Sequence, residues 1–179
     1  MKIILMGIQG SGKSTQGNLL SKKLNLPYLS TGHIFRDMSK EKSRLGRYLK
    51  ETMNAGFLVS DRKTVVIVEE YLSRPEYKTG FILDGFPRTL YQAKKFNHQI
   101  DKIFYLKVSD KEALWRLSYR NDVMREDETL KAIRKRIELF HKFAEPVFTY
   151  YRRRQLLTEV NGEKPIKEVN QEIVKYLKK

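Results

Sequence analysis

At 179 residues, 40% of them apolar and 32% charged, the chain has the size and composition of one globular domain with a real core, not of a disordered protein. It holds no cysteine and three scattered histidines, which excludes a disulfide framework and a cysteine-based zinc site; no apolar run approaches the ~20 residues that span a bilayer, and the opening run is shorter than the ~7–15 residues of a signal-peptide core, so a soluble, intracellular protein is expected. The 36 Lys and Arg against 21 Asp and Glu leave a net charge of +15, which suggests anionic partners without choosing among nucleotides, nucleic acid and anionic lipid; pairs such as Lys22-Lys23, Lys94-Lys95 and Lys178-Lys179 read most simply as solvated surface.

The apolar run over 2–6 predicts a first strand. Gly7-Ile8-Gln9-Gly10-Ser11-Gly12-Lys13-Ser14-Thr15 follows and fits the phosphate-loop pattern of Gly, four residues, Gly, Lys and Ser or Thr. Its glycines let the backbone take positive φ and approach a ligand closely, so that successive N–H groups converge on phosphate oxygens. Lys13 adds a full positive charge. A helix starting there aims its free N–H groups and dipole at the same anion. The competing reading is a glycine-rich turn that holds no ligand. It is weakened by the strand before the motif and by Leu19, Leu20 and Leu24, which supply a helix face after it.

That helix is predicted over 13–24, ended by Pro27. Residues 27–29 read as a short second strand, and Ser30-Thr31-Gly32 as a turn capping a helix over 34–39. Residues 43–54 carry a helical face of Leu45, Tyr48, Leu49 and Met53, with Gly56 just past the end. Asp61 is expected to cap a helix over 61–72, with Val65, Val68 and Leu72 inward. A third strand over 81–84 ends in a carboxylate and precedes a helix over 90–97. Residues 102–108 form a fourth, nearly all-apolar strand, as one covered on both faces should be. Asp110 caps a helix reaching Arg120. A long helix over 127–154 has Leu130, Ile133, Ile137, Phe140, Ala144, Val147 and Tyr151 as its core stripe, and Pro146 should kink or break it. A fifth strand over 155–160, a turn at Asn161-Gly162 and a last helix opened by Lys164-Pro165, with Ile166, Val169 and Ile173 inward, complete the chain.

Strands alternating with helices predict an α/β fold: one domain over 1–179 with a five-stranded parallel sheet covered by helices on both faces. Ligands of such sheets sit outside the carboxyl ends of the strands. That puts the loop at Gly7, Asp84 and the Asn161-Gly162 turn on one rim. Asp84 there is a helix-cap or turn aspartate, or, by analogy with other phosphate-loop proteins, a group holding Mg²⁺ directly or through water; the phosphate loop upstream favours the second. Arg116 and Arg120 share a helix face. Arg125 and Arg136 lie eleven apart, so at ~100° per residue they face the same way on a continuous helix. With Arg134 and Arg88 they offer guanidinium forks that match phosphate oxygens. Any one of them is as easily a surface arginine paired with Glu112, Glu126 or Glu128; for the whole set that explanation is weaker.

Taken together these segments resemble the adenylate kinase family over nearly the full chain. Gly7 to Gln16 resembles its opening phosphate loop, and Leu29-Ser30-Thr31-Gly32, with Ile34 and Arg36, the start of its AMP-binding segment. Gly56-Phe57-Leu58-Val59-Ser60-Asp61 resembles the end of that segment. Gly80-Phe81-Ile82-Leu83-Asp84-Gly85-Phe86-Pro87-Arg88-Thr89, with Gln92, is close to the family's most diagnostic string. Arg125-Glu126-Asp127-Glu128 and Arg134-Lys135-Arg136 resemble the arginines flanking its lid.

The resemblance implies a phosphate-loop nucleoside monophosphate kinase architecture, with an AMP-binding segment over 30–60 and a lid shortened to a loop over 121–124. It implies reversible, Mg²⁺-dependent transfer of the terminal phosphoryl group of ATP to AMP, giving two ADP. Gly10, Ser11, Gly12, Lys13, Ser14 and Thr15 would cradle ATP, with Lys13 on its β- and γ-phosphates, Arg116 stacked on its adenine and the Lys164 backbone lining the base pocket. Thr31, Arg36, Leu58, Val59, Gly85, Arg88 and Gln92 would bind AMP, Gln92 reading the adenine edge. Arg120, Arg125 and Arg136 would hold the transferring phosphates and, with Lys13 and Arg88, form the catalytic set. Mg²⁺ would arrive with ATP and meet Asp84 through water, with Ser14 as a further candidate ligand. ATP, AMP and ADP are the expected partners of a cytoplasmic monomer; neither a membrane nor, as primary partner, a nucleic acid is expected.

The sequence departs from the family pattern at His33, where an acidic residue is usual and whose charge is therefore missing near the metal. It departs at Ser14, where glycine is common, and at the lid, where only 121–124 separate Arg120 from Arg125. Without cysteine, a zinc-binding lid is excluded. Two rivals stay open. A kinase of UMP and CMP is disfavoured by Thr31 and Gln92. A nucleic-acid-binding module would use Tyr119-Arg120 or Tyr150-Tyr151-Arg152-Arg153-Arg154, but no clear RNA-binding motif accompanies them.

Overall fold

Residues 1–119 and 129–177 are described by the computed structural model of the chain. Strands β1 (Lys2–Met6), β2 (Tyr28–Ser30), β3 (Phe81–Asp84), β4 (Lys102–Lys107) and β5 (Leu157–Asn161) form one parallel sheet in the order β2-β3-β1-β4-β5. The helices are α1 (Lys13–Leu24), α2 (Thr31–Met38), α3 (Arg44–Asn54), α4 (Asp61–Leu72), α5 (Leu90–Lys95), α6 (Asp110–Ser118), α7 (Leu130–Arg152) and α8 (Ile166–Leu177). This is the α/β fold with a five-stranded parallel sheet that the alternation of elements predicts.

Side chains alternate across a strand, so each buried strand feeds two cores. Ile3, Leu5, Ile82, Phe104, Leu106 and Val160 turn to one face and pack with Leu20 of α1 and Val169 and Ile173 of α8. Ile4, Met6, Leu29, Phe81, Leu83 and Ile103 turn to the other, against α2, α3, α4, α5 and α7. Burying each such side chain fully contributes about 1.5–3 kcal/mol. β1 therefore leads into a helix on one face, and its neighbour β3 into α5 on the opposite face. The chain diverges there, and a crevice opens at the carboxyl ends of the two strands, where α/β sheets bind ligands. A smaller cluster of Ile8, Val108, Ala113, Ile133 and Ile137 packs α6 and α7 under the rim.

Several expectations are corrected. No turn separates β2 from the next helix: α2 begins at Thr31, whose hydroxyl donates to the Asp84 carbonyl of the adjacent strand. The N-caps of α4 and α6 are Ser60 and Ser109, not Asp61 and Asp110; Ser109 Oγ accepts the Glu112 N–H. α7 runs through Pro146, because Pro146 and Lys142, whose carbonyl loses its donor, both lie on the exposed face. Leu130 is 70% exposed and Leu19 38%. Leu130 sits in the first turn of α7, where its side chain points back beyond the helix end, and α1 buries Gln16, Gly17 and Leu20 instead. β5 starts at Leu157 because Gln155, at φ 57, closes α7 in a left-handed cap with Leu156 N–H donating to Tyr151 O.

Candidate active site

The loop between β1 and α1 sits at the crevice. Gly10 (φ 89) and Gly12 (φ 88) occupy left-handed backbone conformations, and a Cβ at Gly10 would lie 2.6 Å from the Ala113 carbonyl. Gly12 is the N-cap of α1, and no side chain caps that helix. Its first-turn N–H groups are thus left for a ligand, in the geometry that suits an anion. Lys13 is half-buried; its Nζ donates to Ile8 O at 2.8 Å and approaches Ser11 Oγ at 3.3 Å. Burial lowers its pKa to about 8, against the raising effect of Asp84, and Arg88 lowers it further.

Asp84 ends β3 and is 4% exposed. Its Oδ2 accepts from Tyr28 OH at 2.7 Å and lies 3.3 Å from Ser14 Oγ. Burial and Asp84 push the Tyr28 phenol up, so it stays a neutral donor. The pairing of a strand-end carboxylate with the hydroxyl of the phosphate loop suits a Mg²⁺ ion that keeps water ligands and arrives with a nucleotide. A self-sufficient cage is absent: among the described residues no three His, Cys, Asp or Glu side chains cluster as a metal site.

Cations converge on the same crevice. Arg88, just after β3, donates from Nε to Gly85 O at 2.7 Å. Its pKa is lowered first by burial and then by Arg136, is raised by Asp84, and is lowered again by Arg36. Arg36 comes from α2 and Arg136 from α7, so several elements each deliver a positive group to one place. Arg136 donates from Nη1 to Gln9 Oε1 at 3.1 Å and from Nη2 to Met53 O at 2.9 Å. Crowded, partly desolvated like charges are unfavourable unless an anion is to be bound among them.

Gln92, 1% exposed, marks one end of the cleft. Its Oε1 accepts from the Arg88 backbone N–H at 2.7 Å, and its Nε2 donates to Asp61 Oδ1 at 2.8 Å. A backbone N–H only donates and a carboxylate only accepts, so the amide has one orientation, with a second hydrogen and a second lone pair left over. Gly85, at φ 83, fits because a Cβ there would meet Thr31 Oγ1 at 2.5 Å. At the other end Arg116 donates from Nε to Glu112 Oε1 at 2.7 Å and from Nη1 to Gly162 O at 2.9 Å. The Lys164 ammonium pairs with Glu172 at 2.8 Å, and the residue lines the cleft.

The cleft has a volume of about 690 Å³ and joins these ends through the phosphate loop. It brings together Gly10, Ser11, Gly12, Lys13, Ser14, Thr15, Arg36, Leu58, Val59, Asp84, Gly85, Arg88, Gln92, Arg116, Arg136 and Lys164. Thr31 lies just behind it, 1% exposed, between the lining residues Ser30 and Gly32. His33 is exposed on α2. Arg120, Arg125 and the lid loop over 121–124 lie outside the described residues. Sequence reasoning missed Gln9, Tyr28, Asp61 and Trp115. Trp115 lines the cleft near Arg116 while 56% exposed, and an apolar side chain left open on a short helix was the available signal.

The fold and the loop define a phosphate-loop α/β nucleotide-binding protein. The family model for adenylate kinase matches residues 5–156. The chain is 34% identical to the adenylate kinases of Caldicellulosiruptor bescii and Acetivibrio thermocellus, over 99% of its own length and 99% and 98% of theirs. It is 32% identical to that of Staphylococcus aureus, over 99% of both. The chain belongs to the adenylate kinase family. These alignments extend over 212 positions, more than the 179 residues of this chain, so the relatives carry residues that it lacks.

Proposed function

We propose that the protein is an adenylate kinase, transferring the terminal phosphoryl group of ATP to AMP, reversibly and with Mg²⁺, to give two ADP. The observation that carries this is the convergence of Lys13, Arg36, Arg88 and Arg136 on one cleft of about 690 Å³ that Arg116 and Gln92 also line. Gly10 to Thr15 wrap the donor phosphates in backbone N–H groups, and Lys13 neutralises the β- and γ-oxygens. Arg116, its plane fixed by Glu112 and Gly162, lies against the donor adenine, with the Lys164 backbone beside it. Residues 30–60 form the AMP-binding segment. Arg36 and Arg88 take the AMP phosphate, Leu58, Val59, Thr31 and Gly85 shape its pocket, and Gln92 reads the adenine edge with its remaining donor and acceptor.

Asp84, through water, and Ser14 would hold Mg²⁺, which spreads and neutralises charge on the phosphates when bound. Transfer passes through a loose transition state, so alignment and charge stabilisation do most of the work. Lys13, Arg88 and Arg136 bracket the oxygens of the moving group; Arg120 and Arg125, which the family resemblance adds to this set, lie outside the described residues. The reading includes a monomer acting on ATP, AMP and ADP. Among the described residues no helix is long and apolar enough to cross a membrane, in keeping with a cytoplasmic enzyme.

The test is ADP formation from ATP and AMP, with Mg²⁺ supplied and withheld, repeated with CMP, UMP and GMP as acceptors. Turnover with AMP and Mg²⁺ is expected to exceed the others. Preference for a pyrimidine acceptor would reassign the enzyme, and no turnover with any acceptor would refute the proposal.

A further inference from the structure

We propose that Gln9, at the tip of the phosphate loop, is a positioning residue that sets Arg136 across the junction between the donor and acceptor ends of the cleft. This deepens the adenylate kinase reading and rests on it. The guanidinium is held at both terminal nitrogens, by Gln9 Oε1 at 3.1 Å and by Met53 O at 2.9 Å. Gln9 belongs to the loop that would grip the donor phosphates, and Met53 to the last turn of α3, in the acceptor segment. A planar fork held at two points has its plane as well as its position fixed.

Arg136 needs such a hold. It lies close enough to Arg88 to depress that group's pKa, and two cations so placed repel each other. Without Gln9 the phosphate loop no longer holds Nη1, and the guanidinium plane is fixed less tightly on the donor side. Gln9 supplies an acceptor that carries no charge. A carboxylate would hold Arg136 more firmly and also repel the donor phosphates, whereas the amide oxygen does only the first.

The phosphate-loop pattern does not ask for glutamine here. Residue 9 is one of the four unspecified positions between the first glycine of the motif and Gly12, and Gln9 is only half-buried. Its side chain is therefore separable from the fold of the loop.

The test is a double-mutant cycle on kinetics in both nucleotides, with melting temperatures as a control. Gln9→Ala should lower kcat roughly tenfold, in the range of a lost hydrogen bond to a charged group, and leave both KM values within about twofold, the pattern of an interaction that matters in the transition state. In the Arg136→Ala background the same change should cost less than about twofold, because residues acting through one another are not additive. Gln9→Glu, whose carboxylate still holds Arg136, should keep kcat well above that of Gln9→Ala and raise the KM for ATP. Wild-type kcat in Gln9→Ala, or an equal loss with and without Arg136, overturns the inference while leaving the adenylate kinase reading intact. A wild-type enzyme that forms no ADP from ATP and AMP refutes that reading, and this inference with it.

Discussion

Asp61 and Gln92, on α4 and α5, meet in a 2.8 Å hydrogen bond from the amide Nε2 to the carboxylate Oδ1. Asp61 also sits in the first turn of α4, where a negative charge favours the helix by about 0.3–1 kcal/mol. Its larger effect is on Gln92, which it prevents from turning over. Asp61→Ala is expected to raise the KM for AMP about tenfold, the size of a lost hydrogen bond to a charged group, and to narrow the preference for AMP over CMP. The KM for ATP should hold within about twofold, since the change lies at the acceptor end only. Equal loss of affinity for both nucleotides would place Asp61 in the fold and not in base selection.

That pair shows where the sequence stops being legible. The loop from Gly7 to Thr15 could be read directly because its chemistry is carried by neighbours in the chain, and Asp84 because it ends an apolar run. The contacts that aim the site join distant elements: Asp61 to Gln92, Gln9 to Arg136, Arg116 to Gly162. No periodicity encodes such meetings. Periodicity also says which face of a helix turns inward but not where that face runs out, which is why Leu130 and Leu19 read as core. Pro146 read as a kink or break, and its sequence neighbours do not reveal that it and Lys142 lie on the exposed face, where the helix runs on unbroken.

Arg88 is exposed at the crevice and close enough to Arg136 and Arg36 to feel their charge, an arrangement suited to an anion and unfavourable without one. Arg88→Ala should therefore lower turnover by ~10²-fold or more, as for a removed electrostatic donor, while the nucleotide-free protein melts no lower than wild type. Thermal melts with and without ATP plus AMP check both halves. A melting temperature well below wild type in the free protein would mean that the Gly85 hydrogen bond outweighs the repulsion.

Asp84→Asn keeps the shape of the side chain and its contact with Tyr28 but removes the charge beside Ser14. If these residues hold Mg²⁺, the variant should need a higher Mg²⁺ concentration for half-maximal rate, and its turnover at saturation should fall. Ser14→Ala should shift the Mg²⁺ dependence in the same direction by less. An unchanged Mg²⁺ titration in both variants would move the metal elsewhere.

Lys13 ties stability and binding to pH. Its folded pKa of about 8 lies below the ordinary lysine value of 10.5, chiefly because burial disfavours the charged form. Below pH 8 the group is protonated in both folded and unfolded chains, and the folded state carries the full penalty. Between 8 and 10.5 the unfolded chain binds more protons, so the contribution of Lys13 to stability becomes less unfavourable as pH rises. Lys13→Met, which removes the charge but keeps the apolar stem, should melt higher than wild type at pH 7, with the gap shrinking towards pH 10. A bound phosphate reverses the preference, since it favours the ammonium. ATP binding above pH 8 should therefore take up a proton and weaken with rising pH. Calorimetry of ATP binding in buffers of different ionisation enthalpy reads that uptake directly. No proton uptake at pH 8.5, with wild-type and Lys13→Met melting curves parallel across the pH range, would show that the free lysine is fully charged and that the cleft does not desolvate it.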